Sequence, residues 1–337
     1  MEQITDLTLA TYIGIDAHPT EHTAMAINRS EEEKGNLRFE NTHAGIQGFL
    51  TWIKALSSDP RLIVFGIEGG NTARYALVSN LLDTYANIYE VNPLYTKQRR
   101  MLGTRPGKSD PADAKLIAEV LTKKLALLPR INKNEMTSQR LCLRKTVWFY
   151  EELSLQTARI KTMLHQLIRD CDLARTKEEK RVLKLIIEEK QKEKTRIRNL
   201  QKKLKGELDG LLTVQGKNLT TIKGIDTVLA ARIVAHANGI DRFSAVNKFI
   251  RYAGIAPVER SSGKNKRHIR DWRGNRQLNS TMYLVVLNQI RWNAKAKEYF
   301  DKKVAEGKTK KHALRCVMRR TACIVYGLLK SGEEYRG

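Results

Sequence analysis

Four carboxylates in the first third of the chain have the spacing expected of a metal site. They are Asp16, Glu68, Asp110 and Asp113. The first two end apolar runs of strand length, and the last two stand one helical turn apart, so both can face the same side. Carboxylate oxygens are the ligands that Mg²⁺ and Mn²⁺ prefer. Two such ions can stabilise the attacking and leaving oxygens of a phosphoryl displacement. The pattern therefore predicts a Mg²⁺ (or Mn²⁺) site for phosphodiester chemistry.

A structural role accounts for each of these acids taken singly. Asp110 followed by Pro111 and Asp113 is a good helix start, with Asp at the cap, Pro in the first turn and an acid three residues later. Asp16 could simply end a strand, and Glu68 could cap the next helix. Their conjunction favours the metal site, because a charge at the end of a buried strand is costly unless it is coordinated.

The segments around these acids alternate in a definite order. Predicted strands cover residues 11–16, 22–28, 37–41, 62–67 and 88–91, with a polar hairpin tip at 32–36. Predicted helices cover 43–56, 71–85 and 110–126. Three strands in a meander, followed by helix, strand, helix, strand and helix, is the order of the ribonuclease H-like fold. That fold is a mixed sheet with helices on both faces. In that fold the first strand, the fourth strand and the last helix carry acids, and this sequence has its four acids at the corresponding positions.

The bulk composition points to a polyanionic partner. The formal net charge is +25 and the pI is near 9.9, and each phosphate neutralised by Lys or Arg releases counterions. A membrane surface is also anionic, but no apolar run is long enough to span a bilayer and no signal peptide is evident. Nucleic acid is therefore favoured over a membrane. The four scattered cysteines are typical of a reducing cytoplasm.

A basic segment, residues 95–108, lies between the last predicted strand and the helix at 110. It is predicted to be a loop. One interpretation is a solvated loop, and the other is a loop that contacts phosphates beside the metal site. The second interpretation is preferred because the neighbouring acids also require a polyanion. The candidate nucleic-acid contacts in it are Lys97, Arg99, Arg100, Arg105 and Lys108.

The middle of the chain, residues 134–212, changes to a composition rich in Lys, Glu, Arg and Leu. Apolar residues recur at alternating spacings of three and four on both sides of a break at 172–176. This heptad pattern predicts two long helices, each on the order of 50 Å, that form an antiparallel hairpin or an intermolecular coiled coil. The charged runs on them are typical of a solvated face.

Two segments of the last third could contact phosphates. Residues 219–234 resemble a helix-hairpin-helix whose turn at 224–226, next to Lys223, could hold a phosphate on backbone N–H groups. An ordinary core helix pair is an equal alternative. Ser261, Ser262 and Gly263 lie in a predicted loop, and a serine hydroxyl needs activation before it attacks. From the local sequence alone, a turn within a DNA-binding loop is favoured there. The basic residues around the serines are Arg260, Lys264, Lys266, Arg267, Arg270 and Arg273.

Over nearly its whole length the chain resembles the IS110/IS1111 family of transposases, which includes the Piv-type DNA invertases. The motifs in common are Tyr12-Ile-Gly-Ile-Asp16, Gly66-Ile-Glu68, Asn92-Pro93, Lys108-Ser-Asp-Pro-Ala-Asp-Ala114, Ile222-Lys-Gly-Ile225, Ala253-Gly-Ile-Ala-Pro257, Ser262-Gly263 and Gly274-Asn275. Two positions depart from the family pattern: Gly69-Gly70-Asn71 replaces Ala-Thr-Gly, and Leu278-Asn279 replaces Leu-Arg.

The resemblance implies a multi-domain α/β plus α protein. Its parts would be a RuvC-like domain (residues 1–130), a coiled coil (131–214) and a mainly helical transposase domain (215–337). It also implies metal ligands Asp16, Glu68, Asp110 and Asp113, with Ser262, and not its neighbour Ser261, as the nucleophile. Recombination would proceed through a phosphoserine link to DNA.

The partners implied are donor and target DNA, a bridge RNA that pairs with both, and further copies of the chain, a dimer that becomes a tetramer on DNA. The expected location is the prokaryotic cytoplasm. Three other readings stay open: a RuvC-type structure-specific nuclease that uses water, a DNA invertase without guide RNA, and a non-catalytic nucleic-acid scaffold.

Overall fold

The chain divides into two compact units, residues 1–137 and 138–337. The structure is a computed structural model that describes residues 9–68, 73–101, 110–131, 137–262, 265–270 and 274–336. Within these ranges, no helix combines the length and the apolar character that crossing a bilayer requires.

A five-stranded mixed sheet forms the centre of the first unit. Its strands are β1 (Thr11–Ala17), β2 (Glu21–Ile27), β3 (Glu33–Glu40), β4 (Ile63–Glu68) and β5 (Ile88–Val91), in the order β3-β2-β1-β4-β5. β1 runs antiparallel to β2 and parallel to β4, and β4 runs parallel to β5. The predicted mixed sheet, with its meander followed by parallel strands, is confirmed.

Helices cover both faces of this sheet. They are α1 (His43–Leu56), α2 (Tyr75–Thr84), α3 (Pro93–Met101) and α4 (Asp110–Lys124). Successive residues of a strand point to opposite faces. Ile13 and Ile15 accordingly join the core with α1 and α2, whereas Tyr12 joins the core with α4. Asp16 is on the same face of β1 as Tyr12, which is the face that α4 covers.

Two predicted connections in this unit are wrong. The β2–β3 turn lies at 28–32, where the Asn28 side chain accepts a hydrogen bond from the Glu32 backbone N–H, and not at 32–36. The charged residues assigned to the tip belong to β3, an edge strand, where charges discourage pairing with other chains. The segment 93–101 is the helix α3 and not a loop. It is started by the Asn92 side chain, which accepts from the Leu94 N–H.

A long helical hairpin opens the second unit, as the heptad pattern predicted. Its helices are α5 (Ser138–Leu173) and α6 (Lys177–Leu211), joined at 174–176. Thr176 and Glu179 form a reciprocal capping box that starts α6. Three seam residues of α5 and one of α6 are buried between the helices; these are Leu153, Ile160, Leu164 and Ile197.

In the remainder of the second unit, the described residues form helices and one β-hairpin. Its elements are α7 (Val214–Asn218), α8 (Thr227–Ala237), α9 (Val246–Tyr252), β6 (Pro257–Ser262), β7 (Asn265–Arg270), α10 (Arg276–Trp292), α11 (Ala294–Ala305) and α12 (Lys310–Ser331). Leu143 and Leu208, at the base of the long hairpin, are buried in the same core as these helices. The segments predicted as a coiled coil and a transposase domain thus share one compact unit.

Candidate active site

Asp16 and Glu68 lie at one edge of the sheet because their strands are neighbours in parallel. Ile15 pairs with Ile67 across β1 and β4, so the next position on each strand is Asp16 and Glu68. The alternation of faces places Glu68 on the side of Gly66, which also faces α4. Both carboxylates therefore belong to the edge over which the start of α4 lies.

Glycines in β1 and β4 let α4 lie directly on the sheet. A Cβ at Gly14 would stand 2.1 Å from the Ala114 carbonyl oxygen and 2.4 Å from the Ala118 nitrogen. A Cβ at Gly66 would stand 2.9 Å from Leu121 Cγ. The close approach fixes the position of α4 and, with it, the first turn that carries Asp110 and Asp113.

We expect Gly14→Ala to destabilise the first unit by about 2–3 kcal/mol, since backbone atoms of α4 must move to admit the methyl group. The matched control is Gly48→Ala, in the middle of α1, where an added Cβ meets nothing within 4 Å. That substitution should instead raise the free energy of unfolding by about 0.5–1 kcal/mol. Denaturant unfolding of both variants measures the difference; equal effects would contradict the proposed packing of α4 on Gly14.

The electrostatics of Asp16 indicate that the acids are close together. Burial raises the pKa of the Asp16 carboxyl above its ordinary value, and the negative charges of Asp113, Glu68 and Asp110 raise it further, in that order. Like charges gathered in this way oppose ionisation unless a cation is present. The N-terminal turn of α4 offers part of the compensation, because the helix dipole favours carboxylates there.

Helix α3 contacts two of the four acids from one of its faces. Thr96 Oγ1 donates a hydrogen bond to Glu68 Oε1 at 3.0 Å. Arg100, one helical turn later, forms an ion pair with Asp113 through its Nη2. The sequence interpretation missed Thr96 altogether. The signal was the Asn92-Pro93 start followed by nine residues free of Gly and Pro, which favours a helix.

Arg99 has a different role from its neighbour. Its guanidinium pairs with Glu119 of α4 and, at 3.0 Å, with Glu31 in the β2–β3 turn. These ion pairs join α3 to α4 and to the meander. Arg99 is therefore held by acids that do not belong to the predicted metal site.

The donor set suits a hard divalent cation, although the carboxylates do not close around a single point. Within the described ranges, no three His, Cys, Asp or Glu side chains are grouped closely enough to hold an ion. The negative charges of Asp113, Glu68 and Asp110 nevertheless contribute to the raised pKa of Asp16. The raised pKa and the lack of a closed ligand cluster agree if the acids are neighbours whose side chains are bound to other partners. Glu68 is bound by Thr96, and Asp113 is bound by Arg100. A cation would relieve the repulsion around Asp16.

The bounds of α4 show where Asp110 stands relative to the start of the helix. Asp110 is the first helical residue, and both it and Asp113 lie in the first turn. The residue before them, Ser109, is outside the described residues. Interaction with the helix dipole and metal binding are compatible for two carboxylates so placed.

The second predicted centre, Ser262, is the last residue of β6 and not part of a loop. In the β6–β7 hairpin Ser262 pairs with Asn265, and Arg260 pairs with Arg267. Alternate strand positions share a face, and so do directly paired ones. These four positions therefore lie on one face of the hairpin. Ser261, which pairs with Lys266, lies on the other.

The remaining basic candidates are spread over both units. Lys97 and Lys223 are exposed, and Arg270 lies in β7 opposite Pro257. The helix-hairpin-helix-like turn is followed by α8, whose N-terminus is capped by Asp226; this carboxylate accepts a hydrogen bond from the Leu229 N–H that a phosphate would otherwise use. Four of the predicted contacts are outside the described residues: Arg105, Lys108, Lys264 and Arg273.

Comparison with known families covers most of the chain. A model of DEDD transposases of the IS110 type matches residues 13–171, which include all four acids. A second model, of the IS116/IS110/IS902 transposase family, matches residues 216–301, which include Ser262. The chain belongs to the IS110 family of transposases. The mixed five-stranded sheet fits the RuvC-like domain of that family.

Individual relatives come from insertion elements and from a DNA inversion system. A 42 kDa protein of insertion element IS900 from Mycobacterium paratuberculosis is 29% identical over 35% of this chain and 30% of its own length. A 43.6 kDa protein of IS110 from Streptomyces coelicolor is 26% identical over 42% and 36%. These two matches span about a third of each relative. A pilin gene-inverting protein of Moraxella bovis is 24% identical over 96% of this chain and 97% of its own length.

Proposed function

We propose that this IS110-family protein is a DNA recombinase that moves an insertion sequence by divalent-metal-dependent strand exchange through a phosphoserine intermediate. What supports the proposal is that Asp16 and Glu68 end neighbouring parallel strands, while Asp110 and Asp113 lie in the first turn of the helix that packs on Gly14. Trapping a covalent protein–DNA complex on a cleavable DNA substrate tests it. An unlinked protein with cut DNA would contradict it.

The reaction is a pair of transesterifications. Ser262 Oγ attacks the scissile phosphorus, the serine proton passes to solvent, and the bond from phosphorus to one strand end breaks as the serine–phosphate bond forms. The released strand end takes up a proton. In the second step a hydroxyl of the new DNA partner attacks the phosphoserine and restores the serine. A divalent cation held by the four acids would stabilise the charge of the phosphoryl group.

The hairpin register supports Ser262 over Ser261 as the nucleophile. Ser262 shares its face of the hairpin with the positions of Arg260 and Arg267. Guanidinium groups are suited to neutralise a phosphate and the charge that develops on it during transfer. The position of Ser261 shares the other face with those of Lys266 and Glu259.

Guidance by a bridge RNA is the proposed source of sequence specificity. The net charge of +25 suits a protein that holds several nucleic-acid strands by their backbones. Base pairing between the RNA and the DNA would then determine the sequence specificity, while the protein would recognise the backbone and shape of the nucleic acid. Sequencing the RNA that copurifies with the protein tests this. One enriched non-coding species whose loops match donor and target is expected, and recombination that survives ribonuclease treatment would favour an invertase without a guide.

We propose that the chain forms a homodimer, with a tetramer on DNA, and the long hairpin offers a surface for association of two copies. Besides the buried seam, α5 carries a second apolar stripe formed by Trp148, Leu155 and Met163, which are about half exposed or more. Their spacings of seven and eight residues place them on one helix face. Burying such a stripe against a second copy is a favourable route to association.

The runner-up function is a RuvC-like, structure-specific nuclease. The carboxylate edge would serve equally well for a reaction in which water attacks the phosphate. The two mechanisms leave different products, since hydrolysis gives free strand ends and serine attack gives a protein-linked end. A non-catalytic nucleic-acid scaffold predicts that loss of the acids leaves nucleic-acid binding unchanged.

A further inference from the structure

Helix α3 presents two side chains to the acid edge, and they offer different chemistry. Thr96 gives Glu68 a neutral hydrogen-bond donor; its single hydroxyl proton lies within reach of both Glu68 Oε1 and the Pro93 carbonyl oxygen, each 3.0 Å from Oγ1. Arg100 gives Asp113 a permanent positive charge. A hydrogen bond from a hydroxyl leaves the carboxylate free to bind a cation through its other oxygen, whereas a guanidinium neutralises the charge that would attract the cation.

Among the residues that the structure describes, the contacts of Arg100 account for only part of its guanidinium. Its Nε is buried, and no partner for it is found among the described residues. A buried N–H without an acceptor carries a free-energy cost. This cost lowers the free energy needed to move the arginine away from Asp113. About a third of the side chain is still exposed, which leaves a route to solvent. The Asp113 side chain is about half as exposed as that of Arg100, so loss of the partner would leave a partly buried charge uncompensated.

We propose that Arg100 is the resident counter-ion of the acid site, which neutralises Asp113 until a divalent cation displaces it. The proposal rests on the metal site inferred above. The arginine and the cation compete for the same carboxylate, so each weakens the binding of the other. Thr96 stays on Glu68 in both states. The arrangement avoids leaving four adjacent carboxylates uncompensated when no metal is bound.

Arg99 supplies the matched control, because it lies beside Arg100 on the same helix. Its partners are Glu119 and Glu31, which are outside the acid site. Removal of either arginine loses ion pairs between α3 and its neighbours, so a general loosening of α3 would affect both variants. Only removal of Arg100 frees a predicted metal ligand.

The experiment is a titration of the full-length protein with Mn²⁺, followed by electron paramagnetic resonance of the free ion. We expect Arg100→Gln to bind Mn²⁺ about fivefold more tightly than the wild type, the factor that corresponds to about 1 kcal/mol. Arg99→Gln should bind as the wild type does, and Arg100→Lys, which keeps the charge, should return the affinity towards the wild-type value. Unchanged or weaker binding in Arg100→Gln would overturn the proposal, as would an equal gain in Arg99→Gln.

A further variant separates this proposal from the metal site on which it rests. Asp113→Asn should lose most of the Mn²⁺ affinity if the acid site is correct. If Asp113→Asn loses it while Arg100→Gln matches the wild type, the metal site stands and the counter-ion role of Arg100 is wrong. If the wild type and Asp113→Asn bind Mn²⁺ alike, the metal site itself is refuted.

Discussion

A Ser262→Ala variant is expected to form no covalent adduct with DNA and to recombine at least about 10⁴-fold more slowly than the wild type, since removal of a nucleophile leaves only the contribution of binding and charge stabilisation. DNA binding should persist, because the contacts with the phosphate backbone come from the many Lys and Arg residues and not from one hydroxyl. A gel-shift assay and denaturing electrophoresis of the same reaction measure the two properties side by side.

The control for this prediction is Ser261→Ala. Ser261 is adjacent in sequence but lies on the opposite face of the β6–β7 hairpin, opposite Lys266. The substitution removes the same group from the same strand, so a loss caused by disturbing the hairpin would appear in both variants. An adduct that survives in Ser262→Ala, or one that disappears only in Ser261→Ala, would assign the chemistry to another residue.

The second large effect is expected from Asp113→Ala. Among the carboxylates that raise the pKa of Asp16, Asp113 has the strongest influence, and it lies in the first turn of α4. Loss of a metal ligand should reduce strand exchange by about 10³-fold, comparable to the loss of a major source of transition-state charge stabilisation. Adding more Mg²⁺ or Mn²⁺ should recover part of the activity.

Glu119→Gln is the control for the loss of an acid from the same helix. Glu119 is also on α4 and also pairs with an arginine of α3, but that partner is Arg99. Its replacement should cost stability while strand exchange stays within a few-fold of the wild type. Full activity of Asp113→Ala, with only a lower melting temperature, would favour the helix-start interpretation of Asp110 and Asp113 over the metal site.

Much of the first unit could be predicted because its signals are local. The apolar runs of β1 and β4 and the helical spacing of α1 depend on neighbouring residues, and α1 begins and ends where the pattern placed it. The parallel pairing of β1 with β4 follows from the order of the segments. Because parallel strands share an edge, the positions of Asp16 and Glu68 followed from the same signals.

The contacts made by α3 could not be predicted, because they depend on where separate segments meet. Lys97, Arg99 and Arg100 were interpreted from their charge as a basic loop, but the structure pairs Arg99 and Arg100 with acids of α4 and the β2–β3 turn. The role of Gly14 is similar. Its sequence neighbours suggest a strand, and only the packing of α4 reveals why a side chain is excluded there.

The β6–β7 hairpin was missed for a different reason. Its strands lack the alternation of apolar and polar residues that identifies a half-buried strand. The signal that remained was Gly263 at the first of two positions between strands of equal length, a preference of tight hairpins. The pairing matters for function, because it separates Ser261 from Ser262.

The most direct test of the phosphoserine mechanism is to identify the residue that becomes linked to DNA. A substrate that traps the intermediate, followed by nuclease and protease digestion and mass spectrometry, locates the nucleotide on a peptide. We predict a nucleotide joined through a phosphodiester to Ser262 in the wild type and no modified peptide in Asp113→Ala. Cleaved DNA with free ends, together with an unmodified Ser262 peptide, would contradict serine attack and favour hydrolysis by the acid site.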